Sequence, residues 1–254
     1  MAEPILKVTG LTKRFGGVVA VNDMNFEVMP CEIIGIIGPN GSGKSTTMNM
    51  LSGTMNATSG QIFFEGNNIS REKPFKRAHL GIARTYQFLK PFKNMSVREN
   101  VATGAIFGRN HSLTLPQALE EADSILEYLN LSHQGDVQIS QLSVAQWRKL
   151  ELARALAMNP RLLLLDEIMA GMVYSEIQEM IEVVKNLRSE KNVTVIIVEH
   201  IMKAIIALAD RVIVMDQGNL LAEGLPQDVV NDEKVIKAYL GASYKQEKGG
   251  EENA

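Results

Sequence analysis

Residues 32–51 read EIIGIIGPNGSGKSTTMNML, and this stretch limits the possible folds more than any other in the 254-residue chain. Residues 32–37 form a nearly continuous apolar run bounded by turn formers, the pattern of a strand buried on both faces. Residues 46–51 carry a helical pattern. Between them, Gly38-Pro39-Asn40-Gly41-Ser42-Gly43-Lys44-Ser45-Thr46 satisfies G-x-x-x-x-G-K-[ST] in full. Glycines let the backbone curl until successive N–H groups face inward on an anion. The start of the helix adds partial positive charge. Lys44 is then expected to reach the β- and γ-phosphates of a nucleoside triphosphate, and the Ser45 hydroxyl to ligate Mg²⁺.

A strand of this kind needs parallel neighbours. Residues 162–165 and 193–198 are further apolar strands, each adjoining a helical pattern at 175–188 and 201–209. Strands alternating with helices predict an α/β fold with a mainly parallel sheet. Residues 5–8 and 26–28 read as short strands around a turn at Arg14-Phe15-Gly16-Gly17, and residues 61–64 with the Asn67-Asn68 turn as another hairpin element. Helical patterns at 96–103, 116–129 and 146–157 interrupt the sheet as an insertion. Residues 211–216 and 219–223 close the sequence as a hairpin turning at Gln217-Gly218. The expected layout is one domain over 1–240, with a core at 1–86 and 157–240 and a helical subdomain at 87–156. The charged residues 241–254 are expected to be a disordered tail.

Two more strand ends carry chemistry. Leu162-Leu163-Leu164-Leu165-Asp166-Glu167 is an apolar strand ending in acid. Asp166 is placed to hold the Mg²⁺ shell and Glu167 to polarise an attacking water. Val195-Ile196-Ile197-Val198-Glu199-His200 ends in a histidine that can touch the γ-phosphate or orient water. In a parallel sheet all these ends share the edge where such folds bind ligand.

The net charge of −3 argues against a nucleic-acid partner. A single cysteine, Cys31, excludes an internal disulfide framework and suits a reducing compartment. The first residues lack the pattern of a secretory signal. No run reaches the ~18 apolar residues of a membrane span.

These motifs, in this order over roughly residues 5–240, resemble the ATP-binding subunit of ABC transporters, a P-loop NTPase core carrying an antiparallel β subdomain and a helical subdomain. Phe15 lies where that family stacks an aromatic on adenine. Gln87 in Arg84-Thr85-Tyr86-Gln87 corresponds to the glutamine that senses metal and γ-phosphate, and is thus a third metal-side residue beside Ser45 and Asp166. Ser143, Val144, Ala145 and Gln146 occupy the signature position, which presses on the ATP held by a second subunit. His200 matches the switch histidine. GIARTYQ, NMSVRENV, RKLELARALAMNP and the ending VIKAYLG look most like the larger-type ATPase of branched-chain amino acid importers. The lipopolysaccharide-export and urea-import ATPases are similar alternatives, as is a degenerate nucleotide-binding partner with little turnover.

The resemblance implies ATP and Mg²⁺ as ligands and a peripheral place on the cytoplasmic face of the inner membrane. Its implied partners are transmembrane permease subunits, a second ATPase subunit and, indirectly, a substrate-binding protein. Phe88, Leu89, Pro91, Phe92 and Met95 suit a socket for the permease. A soluble ABC ATPase in nucleic-acid or ribosome work usually carries two cassettes or coiled-coil insertions, which are not found in this sequence.

The sequence departs from the family at several points. Val144 and Ala145 replace two glycines of the signature. Ile168 replaces a proline after Glu167, and Val173 a polar residue. Pro30-Cys31-Glu32 replaces a turn that usually contains glycine. The intra-chain catalytic elements survive, while the changes at Val144, Ala145 and Val173 fall on elements offered to a partner. A heterodimer is therefore favoured over a homodimer. Arg148 and Lys149, next on the helix, read as a solvated face.

Overall fold

The computed structural model describes residues 3–85, 91–109 and 113–240; the tail at 241–254 lies outside them. Two antiparallel strands, β1 (Leu6–Phe15) and β2 (Val18–Val28), lead into β3 (Ile33–Ile37) and α1 (Lys44–Ser52). There follow β4 (Ser59–Phe64), β5 (Asn67–Asn68), α2 (Pro74–Leu80) and β6 (Ile82–Arg84). Three helices, α3 (Val97–Phe107), α4 (Leu115–Tyr128) and α5 (Val144–Ala157), separate β6 from β7 (Leu162–Asp166). The chain continues through α6 (Tyr174–Lys191), β8 (Thr194–Val198), α7 (Met202–Leu208), β9 (Arg211–Asp216), β10 (Asn219–Gly224), α8 (Pro226–Val230) and α9 (Glu233–Leu240).

The main sheet has the order β10-β9-β3-β8-β7-β6, parallel except for β10. Alternation along its central strands divides two cores. Ile33 and Ile37, Leu163 and Leu165, Val195 and Ile197 point into a cluster with the helices from α3 to α7. Ile34 and Ile36, Leu162 and Leu164, Ile196 and Val198 point into a second cluster with α1 and the antiparallel sheet β2-β1-β4-β5. This is why the three strands read as unbroken apolar runs: both faces are covered.

The antiparallel strands are far longer than the short segments expected at 5–8 and 26–28. Register shifts between Val8 and Leu11, Leu11 and Lys13, and Lys13 and Arg14 break the pairing of β1 with β2. Such bulges destroy the period-2 pattern by which a strand is recognised. The elements α2 and β6 were absent from the sequence expectation, being only 7 and 3 residues long.

Arg77 of α2 ties this segment to the core. Its Nη1 donates to the carbonyls of Met50 (2.6 Å) and Leu51 (2.8 Å), and its Nη2 to Ile69 (2.7 Å) and Ser70 (3.3 Å). Its Nε donates to Glu72 (3.0 Å). Burial lowers its pKa to about 10, so the guanidinium stays charged at neutral pH. The turn before β3 keeps a left-handed residue without glycine: Cys31 has φ 58°, a conformation that costs an L-residue roughly 1–2 kcal/mol. Its N–H donates to Thr194 Oγ1 at 3.0 Å. Among the described residues no helix is long and apolar enough to cross a membrane.

Candidate nucleotide-binding and hydrolysis site

Because β3, β8 and β7 are adjacent and parallel, their C-terminal ends lie on one edge. Val198 is in register with both Ile36 and Asp166. The loops leaving those ends bring the phosphate loop, Asp166-Glu167 and His200 together.

The phosphate loop is wedged between β2 and β9. A Cβ on Gly38 (φ 151°) would stand 2.1 Å from the Met215 carbonyl oxygen, and one on Gly43 (φ 106°) 2.5 Å from that of Ala20. Only glycine fits either position. Lys44 Nζ donates to the carbonyls of Gly38 (2.7 Å) and Pro39 (3.0 Å), which hold the ammonium over the loop. Burial pushes the Lys44 pKa down, and Glu167 and Asp166 pull it part of the way back. Ser42 Oγ is buried with no hydrogen-bond partner among the described residues. Asn40, Gly41 and Ser45 are exposed, and Thr46 is half-buried.

Asp166 is buried at the end of β7. Its N–H donates to Thr85 Oγ1 (3.1 Å), and its Oδ2 accepts from Arg84 Nη2 (2.8 Å). Glu167 adopts φ 52°, and its N–H donates to the Val198 carbonyl at 2.9 Å. A strained backbone of this kind at a site is held by its surroundings. Glu167 Oε1 lies 2.8 Å from His200 Nε2, which makes one hydrogen-bonded acid–imidazole pair from two strand ends. Glu199 Oε1 accepts from the Met169 N–H at 2.8 Å. Burial raises the pKa of Glu199 to about 6, although the N–H groups of Met169 and His200 lower it.

Phe15, at the end of β1, presents a partly exposed ring with Lys13 Nζ 5.1 Å from its centroid. Ser143 caps α5: its Oγ accepts from the Gln146 N–H (3.3 Å) while its own N–H donates to Gln146 Oε1 (2.9 Å). Val144 and Ala145 are the first helical residues, and neither has positive φ. Their Cβ atoms therefore cause no backbone strain here. Val144 is 57% exposed, whereas Ala145 is buried. A Cβ on Gly171 would stand 3.3 Å from Val144 Cγ1, so the signature touches the loop after Glu167 in the same chain.

One expectation is corrected. Lys149 is buried and pairs with Glu179 at 2.6 Å, and Arg148 pairs with Glu151 at 2.9 Å, so they do not form a solvated face. Gln87, Phe88 and Leu89 lie outside the described residues. Phe92 and Met95 are exposed. Phe92 lines a cavity of about 240 Å³ between α3 and α5, with Arg154 5.5 Å from its ring.

Sequence reasoning missed Arg84, Thr85 and Glu199, which hold the motif residues. It also missed Tyr239 of α9, which lies near Gly38 and whose pKa is raised by burial and lowered part of the way back by the Gly38 N–H. The signals were present as strings, GIARTYQ and VIKAYLG, but strings do not display contacts.

Fold and site together define a phosphate-loop nucleoside triphosphatase. The chain belongs to the ABC transporter family, whose profile matches residues 21–170, and its activity is ATP hydrolysis coupled to transport. Residues 219–245 match a second family, described as branched-chain amino acid ATP-binding cassette transporter. The chain is 38% identical over 253 residues to the high-affinity branched-chain amino acid transport ATP-binding protein LivG of Escherichia coli K12, covering 95% of this chain and 99% of that one. It is 39% identical, with the same coverage, to the corresponding protein BraF of Pseudomonas aeruginosa. A crystal structure of the ADP conformation of MJ1267, an ATP-binding cassette of an ABC transporter, superposes with TM-score 0.86 at 33% identity. It covers 94% of this chain and 100% of that one. The expected family and fold class are thereby confirmed.

Proposed function

We propose that the chain drives import of branched-chain amino acids, as a single domain over 1–240 with its helical subdomain at 87–156. The observation that carries this reading is likeness along the whole chain to LivG and BraF, including the separate match at residues 219–245. Adenine stacks on Phe15, and residues Gly38 to Thr46 wrap the triphosphate. Ser45, Asp166 and, by its place in the sequence, Gln87 would hold the metal. A hydroxyl and a carboxylate are hard oxygen donors suited to Mg²⁺. Asp166 Oδ1 takes no hydrogen bond from the described residues, which leaves it available. Among those residues no three His, Cys, Asp or Glu side chains cluster around a common point. A metal here would be held by one or two protein oxygens together with water and the nucleotide, the usual arrangement for Mg²⁺. When bound, Mg²⁺ neutralises charge between the β- and γ-phosphates. Glu167 accepts a proton from the attacking water, and His200 fixes the orientation of the Glu167 carboxylate.

In this reading the chain lies peripherally on the cytoplasmic face of the inner membrane, with permease helices docked near Phe92 and Met95 and a binding protein acting through them. The second ATPase subunit meets the face where Val144, Val173 and Tyr174 stand 57%, 61% and 72% exposed. The departures from the family at Val144, Ala145 and Val173 fall on this face and favour a partner with an intact signature, hence a heterodimer.

Uptake of labelled leucine by cells lacking this chain should return with the wild-type gene and not with a Lys44→Ala gene. Uptake restored equally by both would refute the assignment. For the heterodimer, Val144→Gly plus Ala145→Gly should raise turnover of the purified chain alone at least about tenfold, since loss of the exposed Val144 side chain lets the backbone N–H groups at the start of α5 approach the phosphate, where such donors are each worth roughly 10²–10³. An unmodified chain as fast as the double variant rules out the heterodimer.

A further inference from the structure

Arg84 joins two elements of the site that the motifs leave unconnected. It is the last residue of β6, three positions before Gln87. Its Nη2 donates to Asp166 Oδ2 at 2.8 Å, and both side chains are only 6% exposed. Its Nη1 donates to Asn49 Oδ1 (2.8 Å) and Ser52 Oγ (3.0 Å), both on α1. Ser45, Asn49 and Ser52 follow one another at i, i+4 and i+7, so they share a single face of α1. The guanidinium thus grips the face of the phosphate-loop helix that begins at Ser45 and holds the strand carboxylate against it. Thr85, the next residue, accepts from the Asp166 N–H. The side chain and the backbone of Asp166 are therefore fixed by two consecutive residues.

Buried ion pairs stabilise poorly unless further hydrogen bonds complete them, and here Arg84 has such bonds to Asn49 and Ser52. The planar fork of arginine suits a bridge with acceptors on two sides, which the point charge of lysine cannot span. One oxygen of Asp166 is occupied and the other is left without a partner among the described residues.

We propose that Arg84 is a positioning residue: it locks Asp166 against α1 so that the second carboxylate oxygen, together with Ser45, is preset for the metal that accompanies the nucleotide. The inference rests on the assignment of Asp166 and Ser45 to the metal side of the site.

The test is ADP binding to the purified full chain by calorimetry, with Mg²⁺ and with chelator, after circular dichroism has shown each variant folded. Wild type should bind ADP more tightly with Mg²⁺; no gain would refute the metal assignment itself, a separate failure. With the gain established, Arg84→Met should keep its chelator affinity and lose about 10- to 100-fold of the Mg²⁺-dependent gain, the usual effect of removing a group that orients a metal ligand. Arg84→Lys should recover part of that gain. A gain within twofold of wild type in Arg84→Met would overturn the proposal. So would an enlarged gain, because removal of positive charge beside a cation site strengthens cation binding unless the lost geometry outweighs it. If Arg84→Met does not fold, Asn49→Ala decides: it leaves the ion pair intact and should lower the gain about threefold, and an unchanged gain overturns the proposal.

Discussion

Glu167→Gln should cut ATP turnover about 10²–10⁴-fold, the range lost with a positioned general base, while Mg·ATP affinity stays close to that of wild type. Glutamine keeps the size of the side chain and can still hydrogen-bond His200 Nε2, which lies 2.8 Å from Glu167 Oε1. It cannot take a proton. The left-handed backbone at residue 167 is held by the N–H bond to Val198, which the substitution leaves in place. The loss therefore falls on the chemical step and not on binding. Steady-state turnover with calorimetry on the same preparation separates the two. Turnover within about threefold of wild type would mean that another group takes the proton.

The second large effect concerns stability. Arg77→Met should lower the unfolding free energy by about 4 kcal/mol, because it removes five hydrogen bonds to backbone carbonyls, worth roughly 0.5–1.5 kcal/mol each, and leaves the buried Leu51 carbonyl without its partner. In wild type these carbonyls belong to Met50, Leu51, Ile69, Ser70 and Glu72, of which Met50 and Ile69 also accept from the N–H groups of Gly53 and Glu72. Two of the five lie in the last turn of α1, whose last four carbonyls have no partner within the helix. For a chain of this size the loss corresponds to a melting temperature lower by about 10 °C. A drop of less than about 2 °C in a thermal melt would show that water or a shifted backbone satisfies those carbonyls.

What the sequence revealed and what it hid have a common physical basis. The motif residues were legible because each sits at the end of an unbroken apolar strand, and a parallel sheet carries such ends to one edge. Lys44, Asp166, Glu167 and His200 needed no distant contact to be found, whereas Phe15 was read only from the family resemblance. Residues whose role lies in a long-range contact were hidden. Arg84 meets an aspartate 82 positions away, and Lys149 a glutamate 30 positions away. Either cation reads locally as an ordinary surface charge. The edge strands were blurred by bulges, and α2 was too short to show a period. Departures from the family were visible as letters, but their consequence required geometry. Cys31 takes the left-handed place of a glycine, whereas Val144 and Ala145 enter a helix without strain and change the exposed surface.

The most direct measurement is calorimetric titration of Mg·ATP into the wild-type chain and into Lys44→Ala. Stoichiometric binding by wild type, weakened at least about tenfold by loss of a cation that contacts phosphate oxygens, is the predicted result. Equal binding by both proteins, or none by wild type, would contradict a triphosphate held between Gly38 and Thr46.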